Sequence, residues 1–426
     1  MEGRRKDFED LAVNLTSESL NSVDSLGYTL LEWATVFSTS HWPIDQFLIE
    51  KGAEIQTDEG LFRRNVFFIA LKFLDPDKDG QTPSLAFHGV DIRGVNQSGD
   101  TALHLALYGG KGQTAKKILS QVKDYDVNAT DSKGDTPLYL AIRLKREFVL
   151  IKKILARTNS ESVNKHNEYG NTALHYAILN QSKAVVEELL KRMDVDVNVK
   201  NNDNHTALHF ATFLEDFPID WFRDILRKST NVNAQDKEGH TALQTAILRM
   251  SKRAVKELLN HNSVDVNVKN GANKTALHFA SLWNDIPLDL LRIILEKSTN
   301  VNAQDANGNT ALQLAIVKKC EAMIKELVNH KDVNVNLKNN QNQTELHVAS
   351  VWKNMSVDLF RKILEKSSDV NAQEIDGHTA LHISIIYESK IILRKSTDVN
   401  VQEKDGHTPL HCAIIYNSEI AVNELL

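Results

Sequence analysis

The apolar residues of the chain follow a pattern that returns about every 35 residues. Each copy opens with threonine, then alanine or proline (glutamate in the copy at Thr344), then leucine, as in the segment TALHYA at 172–177. Apolar residues on one helical face follow, so each copy predicts a short helix whose first turn the threonine hydroxyl caps. The opening threonines are Thr101, Thr136, Thr172, Thr206, Thr241, Thr275, Thr310, Thr344, Thr379 and Thr408.

A second apolar stripe lies later in each copy and predicts a second helix. One example is Leu290, Leu291, Ile294 and Leu295. One helix pair cannot bury so wide a stripe alone, so each copy must stack on its neighbours. An asparagine eight positions before the threonine marks the same register, and weaker copies at Thr29 and Asn65 bring the total to twelve.

The motif T-[AP]-L-H-x-A at this period, followed by an apolar helix and D-V-N-A, resembles the ankyrin repeat. The resemblance implies an all-α fold: a solenoid of about twelve helix–turn–helix units with short β-hairpin-like loops. It also implies that the histidine of the motif hydrogen-bonds the loops of adjacent repeats. We predict that residues 1–95 form a divergent N-terminal cap and that residues 96–426 form the regular array, with the last repeat incomplete.

A longer period of 69 residues runs through the middle of the chain. Thr206, Thr275 and Thr344 are spaced by it, and Thr241 and Thr310 repeat it in the intervening copies. This spacing indicates tandem duplication of a two-repeat block. We therefore expect alternate repeats to present two distinct surfaces.

The resemblance implies a concave recognition surface made by the hairpin tips and the ends of the first helices. The second and third positions after the repeat alanine carry apolar, aromatic and cationic side chains, a composition typical of interaction hot spots. Of these two positions, we expect the one nearer the alanine to pack on the neighbouring repeat in roughly half of the copies. We expect the other to remain free. The predicted partner-binding residues are Phe213, Leu214, Arg249, Trp283, Lys318, Trp352, Tyr387 and Tyr416.

This assignment predicts how the paired substitution Trp283→Ala and Trp352→Ala behaves. Partner capture falls, while the melting temperature barely changes, if both indole rings belong to the surface and not to the core.

Composition and net charge disfavour several classes of partner and site. A net charge of −6 favours neither nucleic acid nor an anionic membrane as partner. Two cysteines, Cys320 and Cys412, exclude a disulfide framework and disfavour a multi-cysteine metal site. The sequence has no signal peptide and no apolar run long enough for a transmembrane helix, so we expect a cytoplasmic or nuclear location.

Three motifs suggest ligand chemistry, and each has a structural alternative. The run Asp75–Gly80 resembles a calcium loop, but Ala86 stands where a bidentate glutamate is required. The glycine-rich run Gly109–Thr114 lacks the phosphate-loop pattern and fits an inter-helix turn. Histidines spaced four positions apart, such as His205 and His209, suggest a metal site but belong to the repeat motif. With no catalytic motif present, we predict no enzyme activity, no catalytic residue, no cofactor and no metal site.

The sequence therefore predicts a protein–protein interaction scaffold, acting as an adaptor or inhibitor that binds its partner on the concave face. The alternative is a secreted or injected effector that acts on host proteins. The expected partners are proteins, and neither nucleic acid nor membrane. Because Ile420, Leu425 and Leu426 are not polar capping residues, self-association through the last repeat is a further hypothesis.

Overall fold

The structure is a computed structural model in which pairs of helices follow one another along the chain. It describes residues 16–25, 27–37, 44–54, 65–66, 68–69, 92–96, 98–121, 125–214, 218–387 and 398–426. The chain divides into two compact parts, Met1–Asn202 and Asp203–Leu426, each described by itself below. The predicted boundary at residues 95–96 stays a prediction.

The described helices of the first part are short, and one 3₁₀ turn at Ser162–Asn164 accompanies them. The α-helices are α1 (Ser17–Leu20), α2 (Leu30–Phe37), α3 (Ile44–Glu50), α4 (Ala102–Tyr108), α5 (Gly112–Gln121), α6 (Pro137–Arg143), α7 (Phe148–Leu155), α8 (Ala173–Leu179) and α9 (Lys183–Lys191).

Among the described residues, the second part contains six helix pairs and one further first helix. Its helices are α10 (Ala207–Thr212), α11 (Ile219–Lys228), α12 (Ala242–Leu248), α13 (Lys252–Asn260), α14 (Ala276–Ala280), α15 (Leu288–Lys297), α16 (Ala311–Lys318), α17 (Glu321–Asn329), α18 (Glu345–Ser350), α19 (Val357–Lys366), α20 (Ala380–Ile386), α21 (Pro409–Ile415) and α22 (Glu419–Leu425).

The predicted apolar stripes form the core. In α15, Leu290, Leu291, Ile294 and Leu295 are all buried. The first helices α12, α14 and α16 pack against one another in sequence, as do the second helices α13, α15 and α17. The all-α repeat architecture that the ankyrin resemblance implies is thus confirmed.

The predicted threonine caps and short hairpins are also present. Thr310 is the N-cap of α16, with φ −81° and ψ 163°, and its hydroxyl accepts from the Gln313 N–H. Before it, Gln304 and Thr310 form an isolated antiparallel bridge. Gly308 takes a φ of +74° at the hairpin turn. A Cβ there would lie 2.7 Å from Asn340 Oδ1 of the next hairpin, so only glycine fits this close approach.

Asparagine replaces that glycine in the repeats that open with Thr206, Thr275 and Thr344. Asn204, Asn273 and Asn342 have φ values of 61°, 59° and 58°. Asparagine tolerates the left-handed region better than most residues. These asparagines therefore complete the hairpin turn where the sequence lacks glycine.

The two kinds of repeat differ in the linker between their helices. Residues 249–251 join α12 to α13 through a tight turn with Met250 at φ 57°, whereas residues 281–287 join α14 to α15. The same tight turn recurs at Lys319, with φ 60°. The expected alternation of two surfaces is confirmed at these linkers.

Backbone hydrogen bonds join successive hairpin tips in the second part. The Lys237 N–H donates to the Asp203 carbonyl at 3.0 Å, and the Ala306 N–H donates to the Ala272 carbonyl at 2.9 Å. Equivalent bonds start from Gly271, Asn340, Ile375 and Lys404. The tips are therefore held in a fixed row.

The register asparagine forms a second link between repeats. Asn267 Nδ2 donates to the Lys297 carbonyl at 3.2 Å, and Asn267 Oδ1 accepts from the Thr299 N–H at 2.8 Å. Asn233, Asn302 and Asn336 make the same pair of bonds to the repeats that follow them. Only an amide can donate and accept in this way, which explains why asparagine recurs here.

We expect Asn267→Ala to lower the free energy of unfolding by about 1–3 kcal/mol, because two backbone groups lose their partner. Urea unfolding followed by circular dichroism measures the change. Asn267→Asp keeps the acceptor but turns a carboxylate oxygen toward the Lys297 carbonyl and the Asp265 carboxylate, so it should lose more than Asn267→Ala. Equal losses for both variants would contradict the two-bond explanation.

Candidate functional site

A threonine–histidine pair at the start of the first helix joins neighbouring repeats. The Thr344 N–H donates to His347 Nδ1 at 3.1 Å, and His347 Nε2 lies 2.9 Å from the Ala372 carbonyl of the next repeat. Because Nδ1 accepts, Nε2 carries the proton and donates to that carbonyl. Burial lowers the pKa of His347, which keeps the ring neutral. The same links are made by His104, His209, His278 and His382.

Other side chains at the histidine position make equivalent links. Gln244 Nε2 donates to the Val268 carbonyl at 2.6 Å, and Gln313 Nε2 donates to the Gln343 carbonyl at 3.0 Å. The role implied by the ankyrin resemblance is therefore confirmed for the histidines and extends to glutamine. These histidines are structural groups, as the sequence predicted.

The structure exposes half of the eight predicted partner-binding residues. Tyr387 and Tyr416 each keep 51% of their surface accessible. Arg249 and Lys318 are exposed, while Phe213, Leu214 and Trp352 are half-buried. Their binding role remains a prediction.

Trp283 differs from this row because only 4% of its surface is exposed. The expectation that its indole is free at the surface is wrong. The linker 281–287 turns inward: the Trp283 N–H donates to the Ala280 carbonyl at 3.1 Å, and the Ile286 N–H donates to the Trp283 carbonyl at 3.3 Å. Ile286 is buried as well. Both side chains belong to the core of this repeat.

The exposed row includes residues that were expected to pack on neighbouring repeats. Leu248 is 50% exposed and Val317 is 61% exposed, and Val351 and Ile415 are exposed too. In α12 the buried residues include Ala246 and Ile247, and Leu248 lies a further 100° round the helix. The last residues of the first helices therefore contribute more apolar surface than the sequence suggested.

Two of the predicted residues touch across neighbouring repeats. The Arg249 guanidinium lies 5.6 Å from the centre of the Phe213 ring, a cation–π geometry. The His205 ring meets Phe213 edge-on at 5.2 Å, and Phe210 does so at 5.7 Å. This aromatic cluster fixes one end of Phe213 and leaves the cation of Arg249 exposed.

The glycine-rich run behaves as the predicted inter-helix turn. Gly110 takes a φ of +73°, and α5 begins at Gly112. Lys111 is buried, so its ammonium group is not presented to a phosphate. The calcium-like run Asp75–Gly80 lies outside the described residues.

Two acidic hairpins contain groups with the chemistry of metal ligands, which the sequence analysis missed. They are Glu374, Asp376 and His378, and then Glu403, Asp405 and His407, each set with its ligand atoms within 4.8 Å. The pattern E-x-D-G-H at 374–378 and 403–407 could have revealed them. In the first set, Glu374 Oε1 lies 2.9 Å from His378 Nδ1 and also accepts from two backbone N–H groups. The carboxylate therefore serves the hairpin turn.

The last repeat exposes several apolar side chains. These are Ile414, Ile415, Tyr416, Ile420 and Leu426. Self-association through this surface remains a prediction.

In the part of the chain that the structure describes, no helix is long and apolar enough to span a membrane.

Comparison with known proteins agrees with the repeat geometry. The family model for ankyrin repeats (3 copies) matches residues 78–153, 148–219, 218–305, 283–374 and 351–426. An ankyrin repeat protein of Acanthamoeba polyphaga mimivirus is 25% identical over 309 residues, which are 71% of this chain and 37% of that protein. The p105 subunit of nuclear factor NF-kappa-B from Gallus gallus is 28% identical over 164 residues, 36% of this chain and 16% of that protein.

Among solved structures, the ankyrin repeat domain of Bcl-3, described as a unique member of the IkappaB protein family, is similar with a TM-score of 0.44 and 23% identity. The region that matches covers 55% of this chain and 99% of that domain. The chain spans well under half the length of the curated relatives named above. Ankyrin repeats generally mediate protein–protein interaction and are not catalytic modules. By its repeat motif, its geometry and the family match over residues 78–426, the chain belongs to the ankyrin-repeat family.

Proposed function

We propose that the chain is a protein-binding scaffold that works as an adaptor or inhibitor in the cytoplasm or nucleus. The observation that carries this proposal is the row of exposed apolar, aromatic and cationic side chains at the ends of the first helices. Tyr387, Val351 and Lys318 belong to this row. Such side chains dominate the energetics of protein interfaces.

The rigid links between repeats support a role in partner recognition rather than in catalysis. Neutral histidines, asparagine bridges and hairpin-tip hydrogen bonds hold successive repeats in register, as seen at His278, Asn267 and Gly271. A pre-organised surface loses little conformational entropy on binding. The scaffold therefore presents the row as a fixed surface to a partner.

Affinity capture with cross-linking and mass spectrometry tests this function with a matched pair of variants. We expect Val351→Ser with Tyr387→Ser to lose captured proteins by about tenfold, because exposed apolar anchors commonly contribute 1 kcal/mol or more. The control, Leu288→Ser with Val357→Ser, removes exposed apolar side chains from α15 and α19 and should keep the captured set.

The outcomes distinguish specific binding at this row from nonspecific apolar adsorption. Loss of the same proteins from both variants would indicate nonspecific apolar capture and contradict the proposal. Unchanged capture by both would contradict it as well. Circular dichroism of both proteins controls for folding.

A further inference from the structure

The tight inter-helix turns of the repeats at Thr241 and Thr310 form an exposed basic edge. We define the basic turn surface as residues 248–253 and 317–319. Its five cations are all exposed, and Leu248, Met250 and Val317 between them are exposed apolar residues. The cationic residues of this surface are Arg249, Lys252, Arg253, Lys318 and Lys319.

These cations differ from Arg223 of α11 and Arg292 of α15, which form ion pairs with the second helices of the following repeats. Arg223 pairs with Glu257 at 2.8 Å, and Arg292 pairs with Glu326 at 2.9 Å. Among the described residues, no carboxylate forms an ion pair with a cation of the basic turn surface. Arg249 instead contacts the Phe213 ring, which positions the guanidinium without neutralising it.

The local charge opposes the charge of the whole chain. The surface itself contains five cations and no carboxylate; the exposed Glu321 follows Lys319 by two positions, and the exposed Asp285 lies in the linker of the intervening repeat. The chain as a whole carries −6. The protein as a whole is acidic, but this surface is cationic and its charges are not neutralised by ion pairs within the described chain. Electrostatic complementarity therefore favours an anionic partner.

The first helices that carry this surface pack side by side, from α12 through α14 to α16. Adjacent helix axes lie about 8–10 Å apart, so the two turns are separated by about 20 Å. An extended segment of about six residues spans that distance. The exposed Leu248, Met250 and Val317 would contact apolar side chains of such a segment, which phosphate-rich polymers do not offer.

We propose that the basic turn surface binds an acidic segment of a partner protein, in which apolar side chains alternate with Asp and Glu. The proposal rests on the protein-binding function proposed above and names the chemistry of the partner. Arg249 and Lys318 pair with carboxylates at the two ends of the segment. Leu248, Met250 and Val317 cover its apolar side chains.

Fluorescence anisotropy with a labelled peptide of Glu, Asp and Leu, about twelve residues long, tests the proposal. The comparison peptide replaces Glu by Gln and Asp by Asn, and a single-stranded oligonucleotide serves as the third probe. We expect the acidic peptide to bind about tenfold more tightly than the neutral peptide, with weaker binding as salt rises.

Charge reversal locates the site. Arg249→Glu with Lys318→Glu should weaken binding of the acidic peptide by about tenfold or more. Lys256→Glu with Lys325→Glu makes the same charge change on α13 and α17 of the same repeats and should change binding less than about twofold. Both lysines are exposed, so folding is not expected to differ between the variants.

Several outcomes would overturn the proposal: equal binding of acidic and neutral peptides, equal weakening by both double variants, or preferred binding of the oligonucleotide. Cross-linking capture separates this failure from failure of the scaffold function. If Arg249→Glu with Lys318→Glu keeps all captured proteins while Val351→Ser with Tyr387→Ser loses them, the acidic-segment proposal fails and the scaffold function stands.

Discussion

Replacing Trp283 with alanine is expected to lower the free energy of unfolding by about 3–5 kcal/mol, the usual cost of truncating a large buried aromatic side chain. Only 4% of the Trp283 surface is exposed, and the neighbouring linker residue Ile286 is buried with it. The truncation leaves a cavity inside a repeat that both neighbours need as a packing surface. Urea unfolding followed by circular dichroism and tryptophan fluorescence measures the loss.

Two variants control this result. Tyr387→Ala truncates a half-exposed aromatic ring, so its effect should stay within about 0.5 kcal/mol. Trp352→Ala removes the residue 69 positions later, which is half-buried, and should fall between the two. A loss below about 1 kcal/mol for Trp283→Ala, with partner capture reduced, would restore the surface role predicted from the sequence.

The sequence predicts the repeat units well because their signals are local. Helix starts depend on a threonine and the residues that follow it, and core stripes depend on helical spacing. Thr310 and Ile294 therefore take the predicted roles. The histidine links follow from the family resemblance, and the structure adds the tautomer and the carbonyl that each histidine meets.

Exposure in the linkers could not be predicted in the same way. Linker 281–287 has no periodicity, so nothing in the sequence shows that Trp283 turns inward. Helix periodicity describes one helix at a time. It leaves open how much of Leu248 or Val317 the next repeat covers.

Which charged side chains form ion pairs also could not be predicted from the sequence. The ion pairs Arg223–Glu257 and Arg292–Glu326 join residues 34 positions apart in neighbouring second helices. A sequence shows a basic run at 249–253 but cannot show which cations find a carboxylate across a repeat boundary. The contrast between the ion pairs of Arg223 and Arg292 and the turn cations, which pair with no carboxylate in the described part of the chain, emerges only from the packed array.

Glu345 departs from the repeat at a position where neighbouring repeats carry alanine. It follows Thr344 directly and is fully buried, in the place that Ala276 and Ala311 occupy in the preceding copies. Its Oε1 accepts from the Thr310 hydroxyl at 2.8 Å, but its Oε2 has no hydrogen-bond partner in the described part of the chain. Burial raises the pKa of Glu345 to about 7. A buried carboxylate without a cation destabilises the folded state.

Glu345→Ala is therefore expected to stabilise the protein, and the gain should depend on pH. The folded-state pKa is about 7, against 4.5 for an ordinary glutamate, so wild type gains stability as pH falls and the folded state takes up a proton. The variant should exceed wild type by about 3 kcal/mol at pH 8 and by about 1 kcal/mol at pH 5. Glu345→Gln keeps the side-chain volume and should show the same pH dependence relative to wild type, since the histidines contribute equally to all three proteins. Urea unfolding at both pH values gives the differences, and a gain that does not change with pH would show that Glu345 does not titrate in the folded protein.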